Sequence, residues 1–181
     1  PPKGPWKETL YGAYKLANEH TAFVYWADWQ VPSIGIRPNI VYGLARDQGM
    51  SSKNTVAIQA AVLDKSYKIP YTGKYSWLYA GEAALAFITS VSNDMVGSNV
   101  FNLNGICETI ENGLKLIKEL KPNSSVTCEG QPLPFPPDLD DLPLRKYVGD
   151  YTSVSVQKGI EHTLRAFETL KSEGKCPDVP I

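Results

Sequence analysis

Tyr11 and Lys15 are the residues of this sequence best suited to moving a proton. They stand four positions apart, so on a helix they share a face, one turn from each other. A positive charge beside a phenol favours the phenolate, and such a tyrosine can take a proton from an alcohol or return one to a carbonyl. With 10 Tyr and 14 Lys in 181 residues, about one such spacing arises by chance. The pair therefore needs support from what surrounds it.

Other chemistries find less material. His20 and His162 are solitary, which leaves no Ser-His-Asp set and no metal-ligating spacing. Cys107, Cys128 and Cys176 are far apart and read as reduced thiols of a cytosolic protein. Asp138, Asp140 and Asp141 cluster without histidine partners or a tight ligand loop, so no metal is expected. They read as a solvated loop, or with Phe135 and the neighbouring prolines as a cover for a pocket. The 14 glycines are scattered, and none supplies the strand, Gly-rich turn and helix that cradle a pyrophosphate.

The elements that must position Tyr11 and Lys15 follow from pattern and punctuation. A helix is predicted from Thr9 or Tyr11 to about Asp28, with Thr9 as a possible N-cap and Pro32 as the bound. Its second half carries Phe23, Val24, Tyr25, Trp26 and Trp29 on more than one face, which predicts burial in the chain's own core or in a dimer interface. A short strand, Ser33 to Arg37, ends at Pro38. A loop from Asn39 to Gly49 precedes a helix of about Ser52 to Leu63 with Val56, Ala60 and Leu63 at helical spacing. Strand-like pieces lie near Ile69 to Thr72, Trp77 to Tyr79 and Val100 to Leu103, with an edge strand at Val126 and Thr127. Helices are predicted over Gly81 to Val91, Thr109 to Leu120 and Val154 to Lys171, the last capped near Ser153. Residues 130 to 143 read as a Pro- and Asp-rich loop. Strands alternating with helices give an α/β fold with a mostly parallel sheet.

Length and composition narrow the classes. A chain of 181 residues suits one domain of ordinary size. A hydrophobic fraction of 43% and a charged fraction of 20% are those of a globular protein. The net charge of −1, without a basic cluster, argues against nucleic acid or an anionic membrane surface as partner. No apolar run approaches the ~20 residues of a membrane span. The start, Pro1 to Pro5, is turn-rich, has no signal-peptide pattern and follows no preceding element, so the chain is expected to be a piece of something larger.

The order of motifs carries more than any one of them. The Tyr11–Lys15 helix is followed by Arg37-Pro38-Asn39-Ile40-Val41-Tyr42-Gly43, then Trp77-Leu78-Tyr79 before an Ala-rich helix. Val100-Phe101-Asn102-Leu103, the helix from Thr109 and Lys158-Gly159-Ile160 come next, in that order. This series resembles the C-terminal portion of the extended short-chain dehydrogenase/reductase family, which includes the NAD(P)-dependent sugar epimerases and dehydratases.

The resemblance implies the C-terminal part of a Rossmann-like, doubly wound parallel sheet joined to a small α/β substrate-binding region. Residues 1–43 would belong to the nucleotide-binding domain and 44–181 mainly to the substrate side, with 97–104 returning to the core sheet. Tyr11 would be the general acid/base, and Lys15 would hold the nicotinamide ribose. Pro38 and Asn39 would lie against the nicotinamide end of NAD or NADP. Tyr42, Arg46 and Tyr75 would face a small, sugar-like or other hydroxyl-bearing substrate. The implied chemistry is hydride transfer, in a cytoplasmic enzyme forming a possible homodimer through helix 11–28. The family's Gly-rich loop and catalytic Ser or Thr lie upstream of the tyrosine, and this chain alone is expected to lack dinucleotide binding.

Some positions depart from the pattern. Sugar-nucleotide epimerases carry Arg-Asp where this chain has Tyr75-Ser76, and the acidic position of the next helix is Glu82 in place of Asp. Leu44 follows Gly43 where Pro is common. Arg46 or Arg145 could supply the missing charge. A second reading keeps the fold without the chemistry: a binding or dimerisation module that lacks the nucleotide-binding half.

Overall fold

Thr9 opens the first helix, α1 (Leu10–Trp29), in a computed structural model that describes residues 9–94, 96–149, 151 and 153–179. Its hydroxyl accepts the Gly12 amide hydrogen at 3.0 Å, satisfying one of the amides a helix start leaves over. Gln30 ends the helix in the left-handed region at φ 54° and donates its N–H to Trp26. The Pro- and Gly-rich start, residues 1–8, lies outside the described residues.

The chain continues through β1 (Ser33–Pro38), β2 (Val41–Tyr42), α2 (Lys53–Val62), β3 (Tyr67–Ile69), β4 (Lys74–Tyr79) and α3 (Ala80–Val91). It then forms β5 (Ser98–Leu103), β6 (Ile106–Thr109), α4 (Ile110–Leu120), β7 (Val126–Cys128), α5 (Leu142–Val148) and α6 (Val156–Ser172). Strands β1 and β5 pair in parallel, from Ser33 opposite Ser98 to Pro38 opposite Leu103. Strand β4 lies between β2, parallel to it, and β6, antiparallel to it. Strands β3 and β7 form a further parallel pair. The fold is α/β with mainly parallel pairing, as the alternation of elements predicts.

Two apolar clusters hold these layers. The larger gathers Tyr42, Ile58, Ile69, Tyr75, Trp77, Ile110, Ile117, Ile160 and Phe167 between β4, α2, α4 and α6. The smaller joins Leu78, Ala86, Leu103, Leu144 and Val148 between β4, α3, β5 and α5. Helix α2 is buried from Asn54 to Val62, well beyond the single stripe its spacing suggests. Gln59 is tolerated there because its amide donates to the Pro177 carbonyl at 2.8 Å, where the C-terminal tail crosses the helix.

Several expectations are corrected. The aromatic half of α1 does not enter this chain's core, for none of its residues is buried. The half-buried Glu19, Ala22 and Trp26 follow one stripe, where the helix meets β1 and β5, and the remaining faces stay open. The segment 106–108 extends into β6, whose partner is the distant β4, so no local turn announces it. Val41 and Tyr42, expected in a loop, form a short strand on β4. The loop 130–143 ends early, because Leu142 and Pro143 begin α5, where a proline near the start of a helix removes no intrahelical bond. The last helix is capped by Ser155, whose hydroxyl accepts the Lys158 amide hydrogen at 3.3 Å, and begins two residues later than Ser153 would place it.

Candidate active site

Helix α1 sets Tyr11 and Lys15 on one face, with the Lys15 Nζ 5.3 Å from the centre of the Tyr11 ring. Both are exposed, Tyr11 at 72%. One turn further on, Glu19 grips Arg37 of β1 with two hydrogen bonds, Nε to Oε1 at 2.6 Å and Nη2 to Oε2 at 2.5 Å. This fork fixes both the distance and the rotation of the helix against the strand. Hydrogen bonding to Glu19 also raises the Arg37 guanidinium above its usual range. The Tyr–Lys pair is thus fastened to the strand that leads to Pro38 and Asn39.

Pro38 is exposed and Asn39 half-buried where β1 ends, beside the end of its parallel neighbour β5. The Asn39 backbone N–H donates to the Leu103 carbonyl at 2.8 Å. Its side-chain amide donates to Asn104 Oδ1 at 2.8 Å and to the Pro136 carbonyl at 3.1 Å. Open parallel sheets bind ligands outside the carboxyl ends of their strands, so this corner is the expected ligand side.

Tyr42 and Tyr75 sit inside the aromatic core, at 0% and 1% exposure. Both stack edge-on against Trp77, at 5.1 and 5.3 Å between ring centres. Burial pushes both phenols up from their ordinary value, so each is a neutral hydrogen-bond donor. The Tyr42 hydroxyl points to the Val156 carbonyl at 3.4 Å, and that of Tyr75 donates to the Ser51 carbonyl at 2.7 Å. Arg46 reaches the same segment from outside, donating to the Gln48 carbonyl and, at 3.4 Å, to the Ser51 hydroxyl. Tyr75 and Arg46 therefore brace one loop from its inner and outer sides. Among the described residues, no hydrogen bond links Tyr11 or Lys15 to this group.

Arg145 does not offer a free charge. It donates to Asp141 Oδ2 from Nε at 3.2 Å and Nη2 at 3.0 Å, stands 3.9 Å from Glu82 and covers the Tyr151 ring at 4.1 Å. Burial raises the Glu82 carboxyl above its usual range, against the opposing pull of the Val154 amide and Arg145. The acidic loop is engaged rather than merely solvated. Asp138 accepts from Asn104 Nδ2 at 2.9 Å, Asp140 accepts the Leu142 amide hydrogen at 3.0 Å, and Asp141 holds Arg145. No group of three or more His, Cys, Asp or Glu among the described residues could hold a metal ion.

Glu19, Ser76 and Asn104 organise this region without a motif of their own. A helical spacing of four from Lys15 could have flagged Glu19. Ser76 shows only as a departure from Asp, and Asn104 only as the residue before a turn glycine.

A model of the NAD dependent epimerase/dehydratase family matches residues 3–103. No match was found among curated proteins. Among solved structures, the chain is similar to UDP-glucuronic acid 4-epimerase from Bacillus cereus in complex with NAD. That likeness has 18% identity and a TM-score of 0.68, over 90% of this chain and 53% of that one. It is also similar to UDP-glucose 4-epimerase from Thermotoga maritima with UDP-glucose, at 17% identity and a TM-score of 0.72, over 89% and 54% of the two chains. A partial-consensus L-threonine 3-dehydrogenase gives 19% identity and a TM-score of 0.78, over 90% and 57%. These likenesses are of fold, and the chain spans about half the length of each structure. With more than half of its length matched by the family's model, the chain belongs to the NAD dependent epimerase/dehydratase family.

Proposed function

We propose that this chain supplies the Tyr–Lys helix and the substrate side of an NAD(P)-dependent enzyme acting on a sugar-like or other hydroxyl-bearing small molecule. The observation that carries this reading is the Lys15 ammonium one turn from Tyr11, on a helix fastened to β1 by Glu19 and Arg37. The residues present fit one end of the dinucleotide. Tyr11 and Lys15 are open to solvent, and Pro38 and Asn39 stand at the carboxyl end of β1. A bound nicotinamide supplies hydride acceptance and return. Tyr11 would take the proton of the substrate hydroxyl as its carbon is oxidised, and return it on reduction. Lys15 would hold the ribose. Arg46, braced at Ser51, would meet an anionic or hydroxyl group of the substrate, while Tyr75 would support that wall from within and Tyr42 would back it from the core. In this reading, residues up to 43 form the cofactor layer and 44–181 mainly the substrate side, with 97–104 returning to pair with β1.

The exposed Leu10, Tyr14, Phe23 and Trp29 of α1 favour a homodimer through this helix. The three free cysteines suit a cytoplasmic setting. No described helix is long and apolar enough to cross a membrane.

Two measurements test the proposal. The coding sequence upstream of Pro1 should contain a Gly-rich turn after a strand and a Ser or Thr before Tyr11. In the intact enzyme, Tyr11→Phe should lower turnover by about 100-fold or more while cofactor affinity stays close to that of the parent. Unchanged turnover removes Tyr11 from the mechanism.

A further inference from the structure

Four separate segments meet through side chains where β1 and β5 end. Asn39 follows β1, Ser76 lies within β4, Asn104 and Gly105 follow β5, and Pro136 and Asp138 belong to the connection between β7 and α5. Their hydrogen bonds can run in one direction only. Ser76 Oγ accepts the Gly105 amide hydrogen at 3.1 Å, and its own hydrogen goes to Asn104 Oδ1 at 3.0 Å. Asn104 therefore turns its oxygen to Ser76 and Asn39, and its nitrogen to Asp138 Oδ1 at 2.9 Å. Asn39 completes the set by donating to the Pro136 carbonyl. Ser76 is wholly buried and Asn104 nearly so, at 6% exposure. The β1–β5 and β2–β4–β6 sheets share no strand, so these side chains join the layer bearing α1 to the sheet behind the Arg46 loop.

We infer that Asn104 is a positioning residue, which fixes the segment 130–141 against the carboxyl ends of β1 and β5 and sets the two sheets relative to each other. It does so without touching a ligand, through Asn39 on one side and Asp138 on the other. The role also accounts for a serine at position 76: a hydroxyl can both accept from Gly105 and donate to Asn104, whereas a carboxylate cannot donate. The inference rests on reading this corner as the ligand side, but its test needs no turnover.

Amide hydrogen exchange on the 181-residue chain provides that test. Asn104→Ala, and separately Asp138→Ala on the exposed side of the set, should speed exchange at Gly105, whose amide donates to Ser76, by about tenfold, the effect of one lost net hydrogen bond. Exchange in α2 and α6 should not change. Asn104→Asp sets two carboxylates face to face and should have the same local effect. Adding Asp138→Asn exchanges donor for acceptor and should restore slow exchange. Should Asn104→Ala fail to fold, Asp138→Ala and the reversed pair carry the test. Equal acceleration across α2 and α6, no acceleration in any variant, or no recovery in the reversed pair overturns the inference. Tyr11→Phe should leave all these rates unchanged, so failure of the catalytic reading and failure of this one appear in different measurements.

Discussion

Glu82 shows how one buried carboxyl can reverse the usual effect of pH. Its neighbours are Asp141 and Arg145 of the α5 region, the Tyr151 phenol, Tyr42 of β2 and the Val154 amide. Burial outweighs the favourable contacts and raises the folded-state pKa above the ordinary value of 4.5. Between that value and the raised one, the folded state binds more protons than the unfolded state, so this group's contribution to stability falls as pH rises. Glu82→Gln is neutral throughout and lacks the decline. In urea unfolding from about pH 4 to about pH 7, the wild type should lose ground relative to Glu82→Gln with each step upward. A wild type that gains ground instead would mean that the Arg145 contact outweighs the burial. Glu129 and Asp178, both exposed and lowered by Lys68 and Lys65, titrate in the opposite sense and cancel in the comparison because both proteins contain them.

Helix α4 illustrates packing overriding propensity at the scale of an element. Gly113 lies mid-helix, where alanine is favoured by ~1 kcal/mol on propensity alone. A Cβ there would stand 2.1 Å from Trp77 Cζ2 and 2.3 Å from Cη2. The indole cannot withdraw, since Tyr42 and Tyr75 enclose it edge-on and it is 1% exposed. Gly113→Ala should therefore destabilise the protein, by ~1–3 kcal/mol in a well-packed core. At about 2–4 °C per kcal/mol for a domain of this size, the loss should be visible as a lowered Tm. Trp77→Phe removes the atoms in the way, and its lost indole N–H has no partner in the core, so the double variant should recover part of the loss. A Gly113→Ala protein as stable as the parent would show that α4 can move away from β4. The stripe of Ile110, Leu114 and Ile117 carries the helical pattern through Gly113, but the reason for the glycine lies on β4.

At the scale of the molecule, what was legible and what was not divide by distance along the chain. Helix α1, the end of β1 at Pro38 and the span of α4 are written in neighbouring residues, and they are close to where pattern and turn chemistry place them. Strand β6 depends on β4, about thirty residues earlier by the Ser76–Cys107 pairing. The Tyr11–Lys15 pair was legible because its residues lie one helical turn apart. The Ser76–Asn104–Asp138 set was not, because it is assembled from three elements. The same division bears on the cofactor. In the proposed reading Tyr11, Lys15, Pro38 and Asn39 would address one end of a dinucleotide, and none of the described glycines sits in a strand, Gly-rich turn and helix arrangement that would cradle its pyrophosphate. Among the described residues, Tyr11 at 72% exposure also has no enclosing walls of the kind that give a small-molecule site most of its affinity. Calorimetric titration of the 181-residue chain with NAD should accordingly give no measurable heat of binding. Binding with a submillimolar Kd would mean that other residues of this chain form a phosphate site, and the division into a cofactor layer and a substrate side would have to be redrawn.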